Sequence, residues 1–428
     1  MKIGMLTHYY DPEGGAAATP GVLARALSRR GHDVQVLTGF PNYPSGEIAA
    51  GYRLSPYQRE VMDGVTIHRV PIYPSHDDSA TRRIANYMSF GLASIPAAGW
   101  LFRDCDVQFV YFSPATTAMG ALPLALSRRT PAALLIQDMW PETVTASGFL
   151  SPRVAEIADR ILVPACNQLY RASSSIAVTS PGMVDVLAER GVPRSKLSFI
   201  PNWSDESAFR PASRDDHLRH ELGLDRRFTL MYAGNLGDLQ DLDTAIDAAR
   251  ILRDREDISF AFVGSGVRES ALRERVAELD LNNVRFVPSQ PFSRMADILA
   301  QADCQLISLR DIPILRSTLP SKIQANLASG SPVIGAVAGD AARVLRDSGS
   351  GVVVQPGDPA ALAEAVRRMA DLTPDQRALF ASRAREFYLS SYSEEVGASA
   401  LESLLRSTAQ TRRCTPETKG HTGESGIV

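Results

Sequence analysis

Residues 230–242 read LMYAGNLGDLQDL, and five later segments share their pattern of an apolar strand that ends in a polar or glycine-rich turn. These segments are FAFVGSG (260–266), VRFVPSQPF (284–292), QLISL (305–309), LPSKIQANLASGSPVIGA (319–336) and GVVVQPGD (351–358). Strand ends of this kind are typical of the carboxyl edge of a parallel sheet, which is where open α/β sheets bind ligands. Lys322 follows Pro320 and Ser321 at a predicted helix start, where it offers a cation to an anion on that edge. The stretch therefore predicts a domain that holds a phosphorylated ligand.

The composition is that of an ordinary soluble α/β enzyme of two or three domains. The chain has 428 residues, of which 44% are hydrophobic and 22% charged, with a formal net charge of −3. It has no basic stripe interleaved with aromatic residues, which excludes nucleic acid as the expected partner. Its four cysteines are far apart in sequence and form no CxxC pair, which predicts free thiols in a reducing compartment. The first strand begins directly after Met1, without the pattern of a cleavable signal peptide, so the cytoplasm is the expected location.

One uncharged segment complicates that expectation. Residues 84–102 (IANYMSFGLASIPAAGWLF) carry no charge and lie between Arg83 and Arg103. Their length makes them a marginal candidate for a transmembrane helix. Their polar residues, glycines and Pro96 favour a buried or surface-docked helix instead, while Trp100 and the flanking arginines leave open a helix at a membrane interface.

Strand and helix patterns alternate in two series. The alternation predicts two doubly wound, Rossmann-like domains with parallel sheets and a cleft between them. The predicted boundaries are an N-terminal domain at 1–205, a charged linker at 206–227, a C-terminal domain at 228–390, a helix at 391–407 and a disordered tail at 408–428.

Several motifs together resemble the retaining glycosyltransferases of family four, which have the GT-B fold. The resemblance rests on YAGNLG (232–237), VTSPGMVDVLAERGVPRSKLSFIPNWSD (178–205), SGSPVIGA (329–336) and GSGVVVQPGD (349–358). The segments YYDPEGGAAATP (9–20), IQDMWPE (136–142) and LPSKIQANLASG (319–330) are similar to its bacterial polysaccharide-assembly branch, which moves sugars such as fucose or N-acetylfucosamine onto lipid-linked intermediates. The match covers roughly residues 1–405.

The resemblance implies a nucleotide-diphosphate sugar, UDP- or GDP-linked, bound mainly by the C-terminal domain, and an acceptor bound mainly by the N-terminal one. A departing nucleoside diphosphate needs cations and oriented donors aimed at its phosphates. The family usually has an arginine where Asn235 stands and a lysine close to Gln240, and neither is present. Lys322 and Arg316 are the expected replacements, assisted by Asn235 itself, by the glycine loop at Gly234 and by helix amides from Ser321.

The turn at Gly14 and Gly15 after the first strand is a second candidate for binding the diphosphate. Small residues let backbone amides approach an anion, although a flexible strand–helix turn is the alternative interpretation. In the family, the turn at Val287 and Pro288 meets the nucleobase through backbone groups, so the base cannot be told from these residues.

Asp138 ends the predicted strand AALLIQD and is the candidate that orients or deprotonates the acceptor hydroxyl. Helix capping is its alternative role. The family's paired glutamates would fall at Ser317 and Ala325, and neither residue is acidic. Asp340 is therefore a candidate for binding the sugar or ribose, with helix capping again as the alternative.

The sequence predicts a metal-independent transferase without a further cofactor. Asp104 and Asp106 satisfy a DxD pattern, but they precede a strand and are expected to be solvated turn charges. The predicted function is transfer of a sugar to a lipid-linked or polysaccharide intermediate, by a cytoplasmic protein that could also bind the inner face of the membrane. A nucleotide-sugar 2-epimerase, a non-catalytic nucleotide-sugar-binding subunit and a transferase acting on a soluble natural product are the alternatives.

Overall fold

The computed structural model describes residues 1–75, 79–127, 129–142 and 152–411. The described strands are β1 Lys2–Leu6, β2 Asp33–Gly39, β3 Gln58–Met62, β4 Val65–Val70, β5 Val107–Phe112, β6 Ala132–Ile136, β7 Ser175–Val178, β8 Leu197–Phe199, β9 Phe228–Ala233, β10 Ile258–Val263, β11 Val284–Val287, β12 Cys304–Ser308, β13 Val333–Ala336 and β14 Gly351–Val354. The described α-helices are α1 Thr19–Arg29, α2 Ala80–Leu101, α3 Leu122–Leu126, α4 Pro152–Ala172, α5 Pro181–Glu189, α6 Asp216–Glu221, α7 Leu242–Ile251, α8 Glu269–Glu278, α9 Met295–Leu299, α10 Pro313–Arg316, α11 Ser321–Ala328, α12 Gly339–Ser348, α13 Pro359–Asp371, α14 Pro374–Ser391 and α15 Glu394–Thr411.

The first sheet has eight strands in the order β3-β4-β2-β1-β5-β6-β7-β8. β1 pairs in parallel with both β2 and β5, whereas β3 and β4 form an antiparallel hairpin. Every residue of β5 is buried, as expected of a strand covered on both faces. The chain order reverses between β1 and β5, so the turn after β1 lies at a switch point of the sheet.

The second sheet has six parallel strands in the order β11-β10-β9-β12-β13-β14. This is the doubly wound order 3-2-1-4-5-6, and its switch point lies between β9 and β12. The buried side chains of β9 and β10, such as Leu230 and Phe260, share one apolar cluster with α7 and α13. Packing of helices onto continuous apolar strands explains why the sequence forms this sheet.

Contacts between Cα atoms group the chain into two units. One contains residues 1–135, 164–176 and 402–428, and the other contains residues 136–163 and 177–401. The domain boundaries drawn from the sequence stay predictions. The last helix, α15, runs to Thr411, so it extends past the predicted end at residue 407. Residues 412–428 of the predicted disordered tail lie outside the described residues.

The uncharged segment 84–102 lies in α2, as predicted for a helix. No helix among the described residues is both long and apolar enough to cross a membrane. The helix buries Phe90 and Ala98 and also Asn86, whose amide donates to the carbonyl of Tyr73 at 2.7 Å. Of the cysteines, Cys105, Cys166 and Cys304 are buried free thiols, and Cys414 lies outside the described residues.

Candidate functional site

Two glycines end the neighbouring strands β9 and β10 and bring their turns into close contact. Gly234 has a φ of +136° and Gly264 a φ of +139°, a conformation that side chains other than glycine rarely adopt. A Cβ atom on Gly264 would lie 2.1 Å from the carbonyl oxygen of Gly234. Only glycine therefore lets the two turns approach beside the switch point of the sheet.

Lys322 reaches into this position from the first turn of α11. A Cβ atom on Gly234 would lie 2.6 Å from its Cε and 2.7 Å from its Nζ, so the absence of a side chain at 234 makes room for the ammonium. The ammonium also lies 4.6 Å from the centre of the Tyr232 ring. The Tyr232 hydroxyl donates to the carbonyl of Asn235 at 2.7 Å, which holds the ring beneath the turn.

The Lys322 ammonium has no counter-charge among the described residues. No hydrogen bond or ion pair to it is formed within the described ranges; its polar contact is the cation–π contact with Tyr232. Burial lowers the pKa of Lys322 from 10.5 to about 8, because desolvation disfavours the charged form. An anion that bound here would supply the missing partner.

The choice of lysine is unusual for this chain. Only four of its 45 Lys and Arg residues are lysines. An ammonium is compact, whereas a guanidinium is a wide planar group, so lysine fits the narrow space beside Gly234 and Tyr232. The position therefore selects a point charge.

Asn235 and Gln240 shape the turn that follows β9. A Cβ atom on Gly237 would lie 2.7 Å from Asn235 Nδ2, and one on Gly266 would lie 2.7 Å from Asn235 Oδ1. The exposed Asn235 amide thus packs over two glycines, one from each turn. Gln240 Oε1 is buried and accepts no hydrogen bond from any described residue, so it can accept one from a ligand hydroxyl.

Arg316 is placed differently from Lys322. Its guanidinium forms a two-pronged ion pair with Asp311, at 2.6 and 2.9 Å, and the side chain is exposed. This pairing raises the pKa of Arg316 and lowers that of Asp311. Of the two predicted cations, Arg316 is therefore already neutralised by Asp311, whereas Lys322 has no counter-charge among the described residues. Arg310, which was not predicted from the sequence, donates its backbone N–H to the carbonyl of Leu239, and its exposed guanidinium forms no ion pair within the described part of the chain.

Asp340 is buried and bonded to protein groups through both carboxylate oxygens. Oδ2 accepts from the Ser180 hydroxyl and the Gly182 backbone N–H, and Oδ1 pairs with Arg343. The suggested helix cap is wrong, because Ala338 occupies the N-cap position of α12 and Asp340 lies inside the helix. These contacts tie α12 to the start of α5. Its predicted contact with sugar or ribose stays a prediction.

The predicted base-binding turn begins one residue later than expected. Val287 is the last residue of β11 and is buried, and its carbonyl accepts from the Gly264 N–H at 3.0 Å. The Pro288 carbonyl accepts from Gln290 Nε2 at 3.0 Å. Ser321 is the first residue of α11, as predicted, and is exposed.

The Gly14–Gly15 turn is anchored by the residue before it. Gly14 is exposed, with no atom within 4 Å of the place where a Cβ atom would lie, and a 3₁₀ helix begins at Gly15. The buried Glu13 carboxylate accepts from the backbone N–H groups of Tyr10, Asn42 and Tyr43 at 2.7–2.9 Å. Burial raises the pKa of Glu13 more than these bonds lower it. The turn is thus fixed at its base and open at Gly14.

Asp138 lies two residues after the end of β6 and is partly buried. Next to it, the Gln137 and Asn202 side-chain amides bond to each other at 2.6 and 3.2 Å. Arg190 donates to the Trp140 carbonyl at 2.9 Å and pairs with Glu142. Residues that follow β8 and α5 therefore fix the backbone segment after β6 in which Asp138 lies.

No group of three or more His, Cys, Asp or Glu side chains suited to a metal ion occurs among the residues described. In the DxD pattern, Asp106 accepts the backbone N–H of Lys2 at 2.8 Å and Asp104 pairs with Arg103. Both are explained as structural charges at the start of β5.

Three features of the site were not found from the sequence. Tyr232 looked like an ordinary strand residue, Gly264 like a simple strand end, and Gln240 like a departure from the family. The signal for Gly264 was present, since YAG (232–234) and FVG (262–264) end two strands in the same way and pair in register. No sequence signal places an aromatic ring beneath a lysine ninety residues later.

Comparisons with known proteins bear on the family and the fold. Residues 14–203 match the family model of a glycosyl transferase 4-like domain, and residues 227–371 match that of glycosyl transferases group 1. A protein of Escherichia coli strain K12 named as a putative colanic acid biosynthesis glycosyl transferase, WcaI, is 29% identical over 380 residues, which is 86% of this chain and 92% of WcaI.

Two solved structures share the fold. Sucrose-phosphate synthase from Thermosynechococcus elongatus has a TM-score of 0.72 at 18% identity, covering 95% of this chain and 98% of that one. Anabaena HepE in complex with UDP and glucose has a TM-score of 0.68 at 16% identity, covering 94% and 99%. At these identities the likeness shows a fold with two parallel-sheet α/β domains.

Proposed function

Because the chain belongs to the family-four glycosyltransferases of GT-B type, we propose that it transfers a sugar from a UDP- or GDP-linked donor to a lipid-linked intermediate in cell-envelope polysaccharide synthesis. The observation that carries the donor half of this proposal is the half-buried Lys322 ammonium beside Gly234, which has no counter-charge among the described residues. Such a site favours an anion, since a bound negative charge would compensate for the hydration that the ammonium loses on burial. HepE, which has the same fold, binds UDP and glucose.

The role of Lys322 would be to stabilise the departing diphosphate. When the bond between the sugar and the phosphate breaks, negative charge grows on the phosphate oxygens. Lys322 and the amides of the first turn of α11 would meet that charge without rearrangement, because the ammonium is already in place. Arg310, whose backbone N–H donates to the Leu239 carbonyl in the turn after β9, would add a second cation, and Arg316 would do so after leaving Asp311.

Other residues of the site would bind the rest of the two substrates. Gln240 Oε1 and the Asn235 amide would meet donor hydroxyls, and the backbone after Val287 would meet the base. Gly14 and Gly15 would offer amides to the diphosphate, and Asp138 would orient the acceptor hydroxyl. In the retaining route the acceptor attacks from the face that the diphosphate leaves, and a phosphate oxygen takes its proton. No metal ion and no further cofactor are part of this scheme.

The acceptor class rests on the relatives. WcaI is named for colanic acid biosynthesis, and the chain matches 92% of its length. A polysaccharide intermediate on a lipid carrier is therefore the acceptor we propose, with the protein at the inner face of the membrane.

The test has two parts. Melting temperatures are first measured against UDP, GDP and their sugars, since a ligand that binds the folded state raises the melting temperature. Release of nucleoside diphosphate from the best donor is then measured with and without an extract of lipid-linked saccharides. We expect stabilisation by one nucleotide class and release that depends on the extract.

Lys322→Ala should abolish the stabilisation, and Lys196→Ala serves as the control for loss of a lysine elsewhere. Conversion of the donor to an epimer, or binding without any turnover, would overturn the proposal. Stabilisation that survives in Lys322→Ala would overturn the placement of the donor.

A further inference from the structure

An apolar face of α2 is uncovered in the structure. Ile84, Met88, Leu92 and Trp100 lie on one side of this helix and are 37–60% exposed. Each step of four residues turns about 40° around the helix, so the four side chains form an oblique stripe that covers about 160° of the helix surface and spans roughly 24 Å along the axis. The opposite side, with Phe90 and Ala98, is buried. A stripe of large apolar side chains on this scale marks a contact surface.

Two tyrosines border this stripe. The Tyr57 ring lies 6.3 Å from the Trp100 ring in an edge-to-face arrangement, and Tyr57 is 41% exposed. The exposed Tyr73 is tied to the helix by its backbone N–H, which donates to Ser89 at 2.8 Å. We call the four helix residues and these two tyrosines the α2 surface.

Arginines are enriched in the segments that form the α2 surface. Residues 53–59 (RLSPYQR) and 80–103 carry five arginines and no acidic residue, while Glu60 and Asp104 directly follow these ranges and Arg103 pairs with Asp104. Arg53 and Arg59 are exposed and form no ion pair with any described residue. Burial, and to a lesser extent the positive charge of Arg59, lowers the pKa of His68 to about 4. The His68 ring in turn stacks on the Tyr57 ring, with 5.9 Å between their centres. The arginine is thus close to the aromatic end of the surface.

From these observations we infer that the α2 surface docks on a lipid bilayer containing anionic headgroups. Leucine, isoleucine and methionine would enter the acyl boundary, Trp100 and the tyrosines would lie at headgroup level, and the arginines would meet phosphates. A second copy of this chain fits the surface less well, because it would bring Arg53 and Arg59 of both copies together. The inference rests on the proposed function only in that a lipid-linked acceptor requires the protein at a membrane.

The experiment is sedimentation of the full chain with vesicles of phosphatidylcholine alone or with 30% phosphatidylglycerol, a fraction we set at roughly that of an anionic membrane. We expect binding to the anionic vesicles that weakens with salt. Leu92→Asp should reduce the partition coefficient at least about tenfold, since one leucine leaves the bilayer and a charge replaces it. Arg53→Gln with Arg59→Gln should remove the preference for anionic vesicles.

Leu389→Asp is the matched control, because Leu389 is a similarly exposed leucine on α14 and should not change vesicle binding. The melting temperature and its shift with nucleotide identify any variant that fails to fold. Equal binding by Leu92→Asp and wild type, or absence of vesicle binding, would refute docking. Self-association without vesicles that Leu92→Asp abolishes would refute it in favour of a dimer.

The two proposals fail separately. Loss of vesicle binding with intact extract-dependent diphosphate release would leave the proposed function standing and remove the docking surface. Vesicle binding without any nucleotide-dependent stabilisation would leave the docking surface standing and remove the proposed function.

Discussion

The Lys322 ammonium lies 4.6 Å from the centre of the Tyr232 ring, and a Cβ atom on the neighbouring Gly234 would lie 2.7 Å from the same nitrogen. The Tyr232 ring and the space left beside Gly234 together accommodate the ammonium, which has no counter-ion among the described residues. The ring's negative face compensates part of the lost hydration. The arrangement keeps a cation in place at a switch point of the sheet, where a ligand can complete it.

Binding of the donor should weaken above about pH 8. Lys322 has a pKa of about 8 in the free protein, so its charge is lost as the pH rises through that value. The dissociation constant of the nucleoside diphosphate should then rise towards tenfold per pH unit. Calorimetric titration from about pH 6.5 to about 9.5 measures this, with Lys322→Ala as the control. A wild-type profile as flat as that of the variant would count against a charged Lys322 in the site.

Removing the buried charge should stabilise the free protein. Lys322→Met should raise the free energy of unfolding at pH 7 by about 1–2 kcal/mol, because the fold no longer desolvates an ammonium. The folded-state pKa is below the unfolded value of 10.5. Between pH 8 and 10.5 the unfolded chain therefore binds more protons, and wild-type stability rises relative to the variant.

Urea denaturation of both proteins at pH 7 and pH 10 tests this sign. The difference between them should be constant well below pH 8 and should shift in favour of the wild type between pH 8 and 10.5. A variant that is less stable at pH 7 would show that the ammonium stabilises the fold.

Gly234→Ala should act through Lys322. A methyl group at this position would lie 2.6 Å from Lys322 Cε, so the flexible lysine must move away, and φ of +136° adds backbone strain of about 1–3 kcal/mol. Donor affinity should fall nearly as far as in Lys322→Ala. The double variant should bind no more weakly than Lys322→Ala alone, since both changes remove the same contact.

Gly191→Ala separates backbone strain from loss of contact. Gly191 has a φ of +84° and no atom within 4 Å of a Cβ position, so its substitution should lower stability and leave nucleotide affinity unchanged. Additive losses in the Gly234–Lys322 double variant would contradict the shared contact.

The Arg316–Asp311 ion pair allows a test of the second predicted cation. If Arg316 turns to the diphosphate, Asp311 competes with the donor for it, and Asp311→Asn should tighten donor binding a few-fold. Arg316→Gln should weaken binding by a similar factor. Titrations with the same nucleotide measure both, and an unchanged affinity in both variants would confine Arg316 to its pairing with Asp311.

The sequence predicted what local chemistry determines. Strand ends follow from apolar runs that stop at glycine or proline, and the start of α11 follows from Pro320 and Ser321, so the edge of the sheet and the position of Lys322 were both correct. Pairing between side chains cannot be predicted in this way, even over a short distance in sequence. Asp311 lies five residues before Arg316, yet only the turn of α10 brings the two together.

Asp340 shows the same limit over a longer distance. Its two partners in the turn at Ser180 and Gly182 are about 160 residues away in sequence. An acidic residue at a helix start suggests capping or ligand binding, and nothing local indicates that a buried turn from another element needs its oxygens. The contact between Asp340 and the start of α5 exists only once the two helices have packed together in the fold.

Asp340→Asn should therefore affect stability more than donor binding. The amide would place an N–H group against Arg343 or against the Ser180 and Gly182 donors, and a buried donor left unpaired costs about 1–3 kcal/mol. Urea denaturation measures that loss, and Arg343→Gln is the control, because Arg343 is 55% exposed in its side chain and should cost less than about 1 kcal/mol. The nucleotide-sugar affinity of the folded protein should stay within about twofold of wild type, since the carboxylate is occupied by protein groups. A loss of affinity tenfold or greater at unchanged stability would instead establish Asp340 as the sugar- or ribose-binding residue.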